Sequence, residues 1–314
     1  MKKITIVTPV YNEEENLPDF FNVLDKVLFS NRDYEFEVLL IDDGSRDRSW
    51  ELICAGAVRD KRFKGIKLSR NHGSHHALAA GFSFARGDAV ATLACDLQDP
   101  PETINRFIEQ WEKGFDIVWG VREKRDDSWS NILTSKFFER LIRKWAAPPG
   151  SQFATGSFFL MDRKVLDYYN NLKEQNRVTF AVVAYLGFTQ KQVPYERKAR
   201  KKGKSGWNFS KKIKTMYDAI IAFSYMPVRI ITFLSIAALV AVPPLGGYVL
   251  YLYFMGRTRN IGYVSIILTV AIFGSLILFN LSLVLEYLMR VYSNTTQRPI
   301  FIISELTENV NAKD

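Results

Sequence analysis

The chain has 314 residues, 47% of them hydrophobic and 24% charged, with a net charge of +9. This length exceeds that of a typical single domain, so we expect one compact domain plus a further part. Much of the positive charge lies in one basic stretch without zinc-ligand spacing, an RNA-binding signature or a basic heptad repeat, which argues against a nucleic-acid-binding protein.

The first hundred residues alternate short apolar runs with helical patterns, which is typical of βαβ units around a mainly parallel sheet. Strands are predicted at 4–9, 36–41, 65–68 and 89–94, and helices at 16–29, 48–59 and 75–85. Ligands of such open sheets bind beyond the carboxyl ends of the strands. Three polar groups follow strands and should meet at that edge: Tyr11 to Glu13, Asp42 with Asp43, and Asp96 to Asp99.

The next hundred residues continue the α/β pattern less regularly. The pattern predicts a helix over 102–113, a strand over 116–120, a charged loop over 121–129 and a helix over 130–145. Two short apolar runs, 158–161 and 191–195, are predicted to be edge strands. A flexible basic loop is expected around 199–206, so the globular domain should cover 1–207.

Two long apolar stretches lie near the C-terminal end. Neither 230–254 nor 261–285 contains a charged residue, and each is long enough to cross a bilayer as a helix. The sequence therefore predicts transmembrane helices at about 229–254 and 261–287, within a segment of 229–290, with a pair of buried core helices as the alternative. An amphipathic helix is predicted at 208–228, at the membrane surface, and 291–314 is expected to form a cytosolic tail.

The charges around these stretches predict their orientation. Nine Lys or Arg residues lie between Arg197 and Lys214, against Arg257 and Arg259 in the short connection between the stretches. The N-terminal sequence has no signal-peptide pattern, and the two cysteines suggest no disulfide framework. We therefore expect a multi-pass protein of the cytoplasmic membrane, with the globular domain and both termini in the cytosol and anionic lipid beside the basic stretch.

Carboxylates at strand ends are candidates for holding a cation beside a diphosphate. Mg²⁺ and Mn²⁺ prefer oxygen ligands and neutralise a leaving diphosphate, and Asp96 is the first candidate for such a ligand. From spacing alone, a turn or helix-capping role for Asp96 is equally consistent. Asp42 and Asp43, which precede Gly44, could equally form a plain turn.

Five short motifs follow one another along the chain. They are Thr8-Pro9-Val10-Tyr11-Asn12-Glu13, Ile41-Asp42-Asp43-Gly44-Ser45, Leu68-Ser69-Arg70-Asn71, Asp96-Leu97-Gln98-Asp99-Pro100-Pro101 and Met161-Asp162-Arg163-Lys164. In this order and spacing they resemble the family 2 glycosyltransferases of GT-A fold. With the two apolar stretches, nearly the whole chain looks most like the polyprenyl (bactoprenol or dolichyl) phosphate glycosyltransferases. The resemblance implies an α/β nucleotide-sugar-binding domain with a mixed, mainly parallel sheet.

The resemblance also implies roles for individual positions. Residues expected to hold the donor nucleotide sugar are Pro9, Tyr11, Glu13, Asp42, Asp43, Asn71, Gln98, Arg200 and Lys204. The last two could equally lie against anionic lipid. Mg²⁺ or Mn²⁺ would bind Asp96 and Gln98, and the acceptor phosphate would bind Arg122, Arg125 and Lys136. Catalytic roles fall to Asp96, Arg122 and Ser157.

The sequence departs from the family pattern at two of these positions. Relatives usually carry Asp two positions before Asp96, where this chain has Ala94, so one metal ligand is missing. Relatives often carry Asp, proposed as the catalytic base, where this chain has Ser157. The absence of Asp at position 157 is compatible with catalysis if the acceptor is a lipid monophosphate. The second pKa of such a phosphate is about 6, so it needs no base to become a nucleophile near neutral pH.

The expected activity is that of a polyprenyl-phosphate hexosyltransferase. It would transfer a sugar with inversion, UDP-glucose being the first donor to consider and UDP-N-acetylhexosamine the next, to undecaprenyl or dolichyl phosphate for later modification of an envelope glycan. Two-span members of this family often associate, so the resemblance also suggests a homo-oligomer. Two alternatives stay open: a catalytically silent membrane scaffold, and a processive polysaccharide synthase, which two spans and the lack of a Gln-x-x-Arg-Trp motif disfavour.

Overall fold

The computed structural model describes residues 1–123, 157–172, 174, 178–198, 226–256, 261–296 and 298–310. The chain divides into a sheet unit, Met1–Phe223 with Pro299–Asp314, and a two-helix unit, Ser224–Arg298. Several predictions lie outside the described residues: the helix at 130–145, the basic loop at 199–206, most of the interface helix at 208–228, and Arg125, Lys136, Arg200 and Lys204.

The described part of the sheet unit contains one eight-stranded sheet. Its strands are β1 (Lys2–Val10), β2 (Tyr34–Asp42), β3 (Phe63–Leu68), β4 (Ala89–Thr92), β5 (Ile117–Arg122), β6 (Phe159–Asp162), β7 (Gln190–Tyr195) and β8 (Ile303–Leu306), in the spatial order β7-β5-β6-β4-β1-β2-β3-β8. β6 and β8 pair antiparallel with their neighbours, and the other six strands run in one direction. The predicted mixed, mainly parallel sheet is confirmed.

Helices cover both faces of this sheet. They are α1 (Leu17–Val27), α2 (Ser49–Arg59), α3 (Ser74–Phe84), α4 (Glu102–Glu112), α5 (Arg163–Asn171) and α6 (Thr179–Tyr185). α1, α2 and α4 contribute to one apolar core, and α3, α5 and α6 to the other. Alternate residues of a strand point to opposite faces, so Ile6 joins the first core and Val7 the second. Strands buried on both faces explain the near-continuous apolar runs of the sequence.

The position of β6 differs from the prediction. The sequence predicted an edge strand at 158–161, whereas β6 lies inside the sheet, antiparallel to both β4 and β5. Phe159, Leu160 and Met161 are all fully buried, as expected of an internal strand. The prediction was wrong because a short apolar run does not reveal which strands from distant parts of the chain will pair with it. β7 does lie at an edge of the sheet, as predicted.

The C-terminal residues return to the sheet, which the sequence did not predict. β8 pairs antiparallel with β3, and the Ser69 N–H donates to the Ile302 carbonyl at 2.8 Å. The Gly65 N–H donates to Thr307 Oγ1 at 2.8 Å. Part of the predicted tail, 291–314, is therefore a strand of the sheet unit.

The two-helix unit contains α7 (Met226–Phe254) and α8 (Ile261–Thr295). α8 extends beyond the predicted end of the second span at 287. Many apolar side chains of both helices are exposed, among them Phe233 at 71% and Leu278 at 67%. Within the described residues, one segment, Ile272–Ser293, is long and apolar enough to cross a membrane by length and composition.

Candidate active site

The carboxyl ends of the six parallel strands lie at one edge of the sheet, which we call the carboxyl edge. Every predicted site residue that the structure describes lies at or near the end of one of these strands, follows one, or shortly precedes antiparallel β6. These residues are Pro9, Tyr11, Glu13, Asp42, Asp43, Asn71, Asp96, Gln98, Arg122 and Ser157. The topology therefore brings them to the same edge, where open α/β sheets bind ligands.

The loops after β1 and β2 are joined by hydrogen bonds. The Asn12 N–H donates to Ser45 Oγ at 3.0 Å, and the Arg46 N–H donates to Asn12 Oδ1 at 2.9 Å. Asn12 has a φ of +54°, in the left-handed region that Asn tolerates better than most residues. The Glu13 N–H donates to Ser49 Oγ at 2.9 Å. The first two motifs thus form one fixed platform.

Asp43 connects this platform to the loop after β3. Its carboxylate accepts hydrogen bonds from the backbone N–H groups of His72 at 2.7 Å and Gly73 at 2.9 Å. Burial raises the pKa of Asp43 to about 6, although both N–H groups oppose this shift. Asp42 Oδ1 accepts a hydrogen bond from the N–H of Ser45, three residues further along the chain, at 3.1 Å. The turn role that spacing allowed is present, and it places Asp43 between two loops of the site.

Two buried side-chain oxygen atoms at this edge lack partners among the described residues. Thr8 Oγ1 and Asp42 Oδ2 have no hydrogen-bond partner within the described part of the chain, and both residues are fully buried. Burial also raises the pKa of Asp42. A buried polar atom without a partner is unfavourable, so a molecule that offers N–H or O–H groups here would gain from bonding to them.

The loop that carries Asp96 is tightly turned. Asp96 Oδ1 accepts from the Gln98 N–H at 3.1 Å. Leu97 has a φ of +54°, which is uncommon for a residue other than Gly, Asn or Asp. Among the described residues other than glycine, only Leu97 and Asn12 have a positive φ, and both lie in loops at the carboxyl edge. Strained backbone of this kind concentrates at functional sites.

A network of charged and polar side chains joins this loop to the ends of β5 and β7. The Tyr195 hydroxyl donates to Asp99 Oδ1 at 2.6 Å, and Arg122 Nε donates to the same hydroxyl at 3.4 Å. Arg197 Nε lies 3.5 Å from Asp99 Oδ1. Burial and the charge of Asp99 raise the pKa of Tyr195. The motifs of the sequence assign no role to Tyr195. Its place at the end of a predicted strand is nevertheless the same kind of signal that indicates Asp96.

Ser157 is held near the end of β4. The Thr92 hydroxyl donates to the Ser157 carbonyl, and the Phe159 N–H donates to Thr92 Oγ1 at 3.2 Å. Ser157 itself is exposed. Residues 157 and 158, just before β6, are therefore fixed beside the end of β4, the strand that the Asp96 loop follows.

The oxygen atoms near Asp96 fit a cation only in part. Asp96 and Gln98 offer a carboxylate and an amide oxygen, while Ala94 offers no ligand and Asp99 is engaged by Tyr195 and Arg197. No group of three His, Cys, Asp or Glu side chains suited to a metal occurs among the described residues. Such a set suits Mg²⁺ or Mn²⁺ that takes further ligands from a substrate diphosphate and water.

Comparisons with known proteins agree with the motifs. The family model described as glycosyl transferase family 2 matches residues 5–169. A protein of Synechocystis sp. named as an uncharacterized glycosyltransferase is 34% identical, and the match covers 97% of this chain and 95% of that protein. The uncharacterized glycosyltransferase YkcC of Bacillus subtilis is also 34% identical, with coverage of 96% and 93%.

A solved structure shares the fold at low sequence identity. Mannosyl-3-phosphoglycerate synthase from Rubrobacter xylanophilus matches with a TM-score of 0.51 and 14% identity, over 83% of this chain and 78% of that chain. The family match covers more than half of this chain, and the curated relatives match over nearly their whole length. The resemblance of the motifs is thereby confirmed: the chain belongs to glycosyl transferase family 2.

Proposed function

We propose that this glycosyltransferase transfers a sugar, with inversion, from a nucleotide-sugar donor to polyprenyl phosphate at the cytosolic face of the cytoplasmic membrane. UDP-glucose is the first donor to test. One observation carries the part of the proposal that concerns the membrane and the lipid acceptor. The two-helix unit is inserted, along the chain, between two parts of the sheet unit. The chain leaves the sheet after β7 and returns to it at β8.

This insertion limits the number of membrane crossings. A folded sheet lies on one side of a bilayer, so a segment that starts and ends in the same sheet crosses an even number of times. If Ile272–Ser293 crosses once, a second crossing must lie between β7 and that segment, and α7 is the candidate. Its 29 residues extend about 44 Å at the α-helical rise, enough for the hydrocarbon core.

The exposed surface of these helices supports a lipid environment. Large apolar side chains are exposed along both, including Val240 at 67%, Tyr248 at 60% and Val270 at 67%. Soluble monomers rarely expose apolar patches of this extent to water. An acceptor with an isoprenoid tail can stay in the bilayer beside such helices while its phosphate reaches a cytosolic site.

The carboxyl edge supports the transfer chemistry. In the proposed reaction a phosphate oxygen of the acceptor attacks the anomeric carbon, the bond from that carbon to the donor diphosphate breaks, and a nucleoside diphosphate leaves. Asp42 and Asp43 would face the nucleotide, and Arg122 would bind and orient the acceptor phosphate. A divalent cation, when bound at Asp96 and Gln98, would supply positive charge to the leaving diphosphate. Ser157 need not act as a base, because the acceptor phosphate is already ionised.

The proposal is tested by sugar transfer with the full chain in native membranes. A panel of radiolabelled nucleotide sugars, with UDP-glucose and UDP-N-acetylhexosamines included, is incubated with undecaprenyl or dolichyl phosphate, with and without EDTA. We expect labelled lipid from one donor and its loss in EDTA. Labelled lipid from no donor, with nucleotide binding intact, would reject the proposal in favour of a silent scaffold. Label in a long polysaccharide would instead indicate a processive synthase.

Replacing Gly44 with Ala is expected to weaken donor binding about tenfold. Gly44 has a φ of +68°, and a Cβ there would lie 2.6 Å from the backbone carbon of Arg70 and 2.8 Å from the Asn71 nitrogen. Backbone atoms cannot rotate away, so the loop after β3 must shift and loosen its hydrogen bonds to Asp43. The measurement is the dissociation constant of UDP by calorimetry.

Gly114→Ala is the matched control for this change. Gly114 has a φ of +94° with nothing within 4 Å of the added Cβ, so it carries the backbone strain without the clash. It precedes β5, away from the carboxyl edge. Equal UDP affinity in Gly44→Ala and Gly114→Ala would show that the contact between the two loops does not shape the nucleotide site.

A further inference from the structure

One hydroxyl group joins the two halves of the carboxyl edge. Tyr195 Oη donates to Asp99 in the loop after β4 and accepts from Arg122 at the end of β5. A phenolic hydroxyl has one proton to donate and lone pairs to accept, so a single group can make both bonds. The loop assigned to the donor diphosphate and the residue assigned to the acceptor phosphate thus meet at this atom.

The ring beneath this hydroxyl is held rigidly. Tyr195 is 4% exposed and packs edge-on against Phe158, with ring centroids 5.2 Å apart. A Cβ at Gly120 would lie 3.0 Å from the Tyr195 ring, which shows how closely β5 approaches it. The ring has little room to move, so the hydroxyl is presented at a fixed place.

Backbone pairing also fixes the position of Tyr195 relative to Arg122. Arg122 and Tyr195 are direct partners in the parallel pairing of β5 with β7. The Glu123 N–H donates to the Tyr195 carbonyl at 2.9 Å, and the Lys198 N–H donates to the Gln98 carbonyl at 2.9 Å. The strand end that carries Tyr195 therefore touches the Arg122 segment on one side and the Asp96 to Asp99 loop on the other.

The charges explain why a neutral hydroxyl stands at this point. Asp99 is shared between Tyr195 and Arg197, and Tyr195 separates the Asp99 carboxylate from the Arg122 guanidinium. A direct ion pair between Asp99 and Arg122 would place a negative charge where a phosphate has to bind. The hydroxyl orients Arg122 without that repulsion.

We propose that Tyr195 is a positioning residue for the acceptor phosphate, setting the position of Arg122 relative to the Asp96 to Asp99 loop through its hydroxyl group. This inference rests on the proposed function, because it takes Arg122 as the group that binds the acceptor. Tyr195 itself need not touch either substrate. Its effect should therefore appear in acceptor use and should depend on Arg122.

Tyr195→Phe tests the proposal by removing the hydroxyl and keeping the packed ring. We expect the KM for polyprenyl phosphate to rise about tenfold, the loss typical of a buried hydrogen bond to a charged group, and the donor KM to change by less than about twofold. In an Arg122→Ala background the same change should alter kcat/KM by less than about twofold, because its effect acts through Arg122. Tyr169→Phe is the control, since it removes another buried hydroxyl, 3.4 Å from Thr179 Oγ1 and outside this network.

The outcomes separate this inference from the proposed function. If the wild type transfers sugar and Tyr195→Phe keeps its acceptor KM, or loses as much in the Arg122→Ala background as alone, the positioning role is wrong and the transferase stands. If the wild type transfers sugar from no donor, the proposed function fails. In that case the positioning role is tested by titrating the detergent-solubilised full chain with farnesyl phosphate. Weaker binding of farnesyl phosphate by Tyr195→Phe than by Tyr169→Phe supports the positioning role of Tyr195, and equal binding overturns it.

Discussion

Asp96→Asn is expected to lower the rate of sugar transfer about 100-fold or more without unfolding the protein. The change removes a negative charge and keeps an oxygen that can accept the hydrogen bond from the Gln98 N–H, so the turn should persist. Ala94 cannot compensate, because it offers no ligand. The measurement is the initial rate at saturating donor and acceptor over a range of Mn²⁺ and Mg²⁺ concentrations. We expect the variant to need more metal for its residual rate.

The control for Asp96→Asn is Asp167→Asn. Asp167 lies on α5 with a side chain that is 59% exposed, 3.8 Å from Arg163, and its replacement should leave transfer within about twofold of the wild type. Equal rates for Asp96→Asn and the wild type at every metal concentration would remove Asp96 from the mechanism. A cation at this edge would then need other ligands.

Glu37→Gln is expected to lower the free energy of unfolding by about 3 kcal/mol near pH 7, a larger loss of stability than for any other variant proposed for this protein. Glu37 is 3% exposed on β2, where it pairs with Lys3 and Lys64, both at 2.9 Å, and accepts from the Thr5 hydroxyl at 2.7 Å. Burial alone would raise its pKa, but the hydrogen bonds from Lys64, Thr5 and Lys3 outweigh burial and lower the pKa to about 2. The neutral amide would leave two ammonium groups without their shared carboxylate. The measurement is the thermal midpoint of the full chain in detergent.

The dependence on pH gives this prediction its sharpest test. Because the folded-state pKa of Glu37 lies below the unfolded value of 4.5, its stabilisation is present above pH 4.5 and is lost as the pH falls toward 2. The difference in midpoint between wild type and Glu37→Gln should therefore shrink over that range. Glu35→Gln is the control on the same strand, since Glu35 is 59% exposed and lies 3.5 Å from Lys3. Similar losses for both variants, or a difference unchanged by pH, would contradict the argument.

Local patterns predicted the first half of the fold well. The strands and helices up to Thr92 form buried runs and amphipathic repeats that neighbouring residues alone determine, and the predicted helix over 16–29 is observed as Leu17–Val27. The rule that open α/β sheets bind ligands at the carboxyl ends of their strands predicts one shared edge for Asp42, Asp43 and Asp96 from the sequence alone. These predictions needed only the order and direction of consecutive strands.

Features that depend on distant pairing were missed. β6 was predicted at an edge because nothing in Phe159–Asp162 reveals that β4 and β5 lie on either side of it. β8 was not predicted because Ile303–Leu306 is short and has two exposed polar residues, so it lacks a strong apolar pattern. The bond between Tyr195 and Asp99 joins residues far apart in the chain, and only the folded sheet brings them together.

The place of β8 in the sheet also sets an order for the assembly of this protein during its synthesis. The ribosome produces β1 to β7 first and both long helices next, and only then the strand that covers the free edge of β3. Until that strand emerges, β3 presents unpaired N–H and C=O groups to other chains. The nascent sheet thus has an open edge throughout the time in which the helices are made, and its last hydrogen bonds, with Thr307 at Gly65 among them, form only when those helices have left the ribosome.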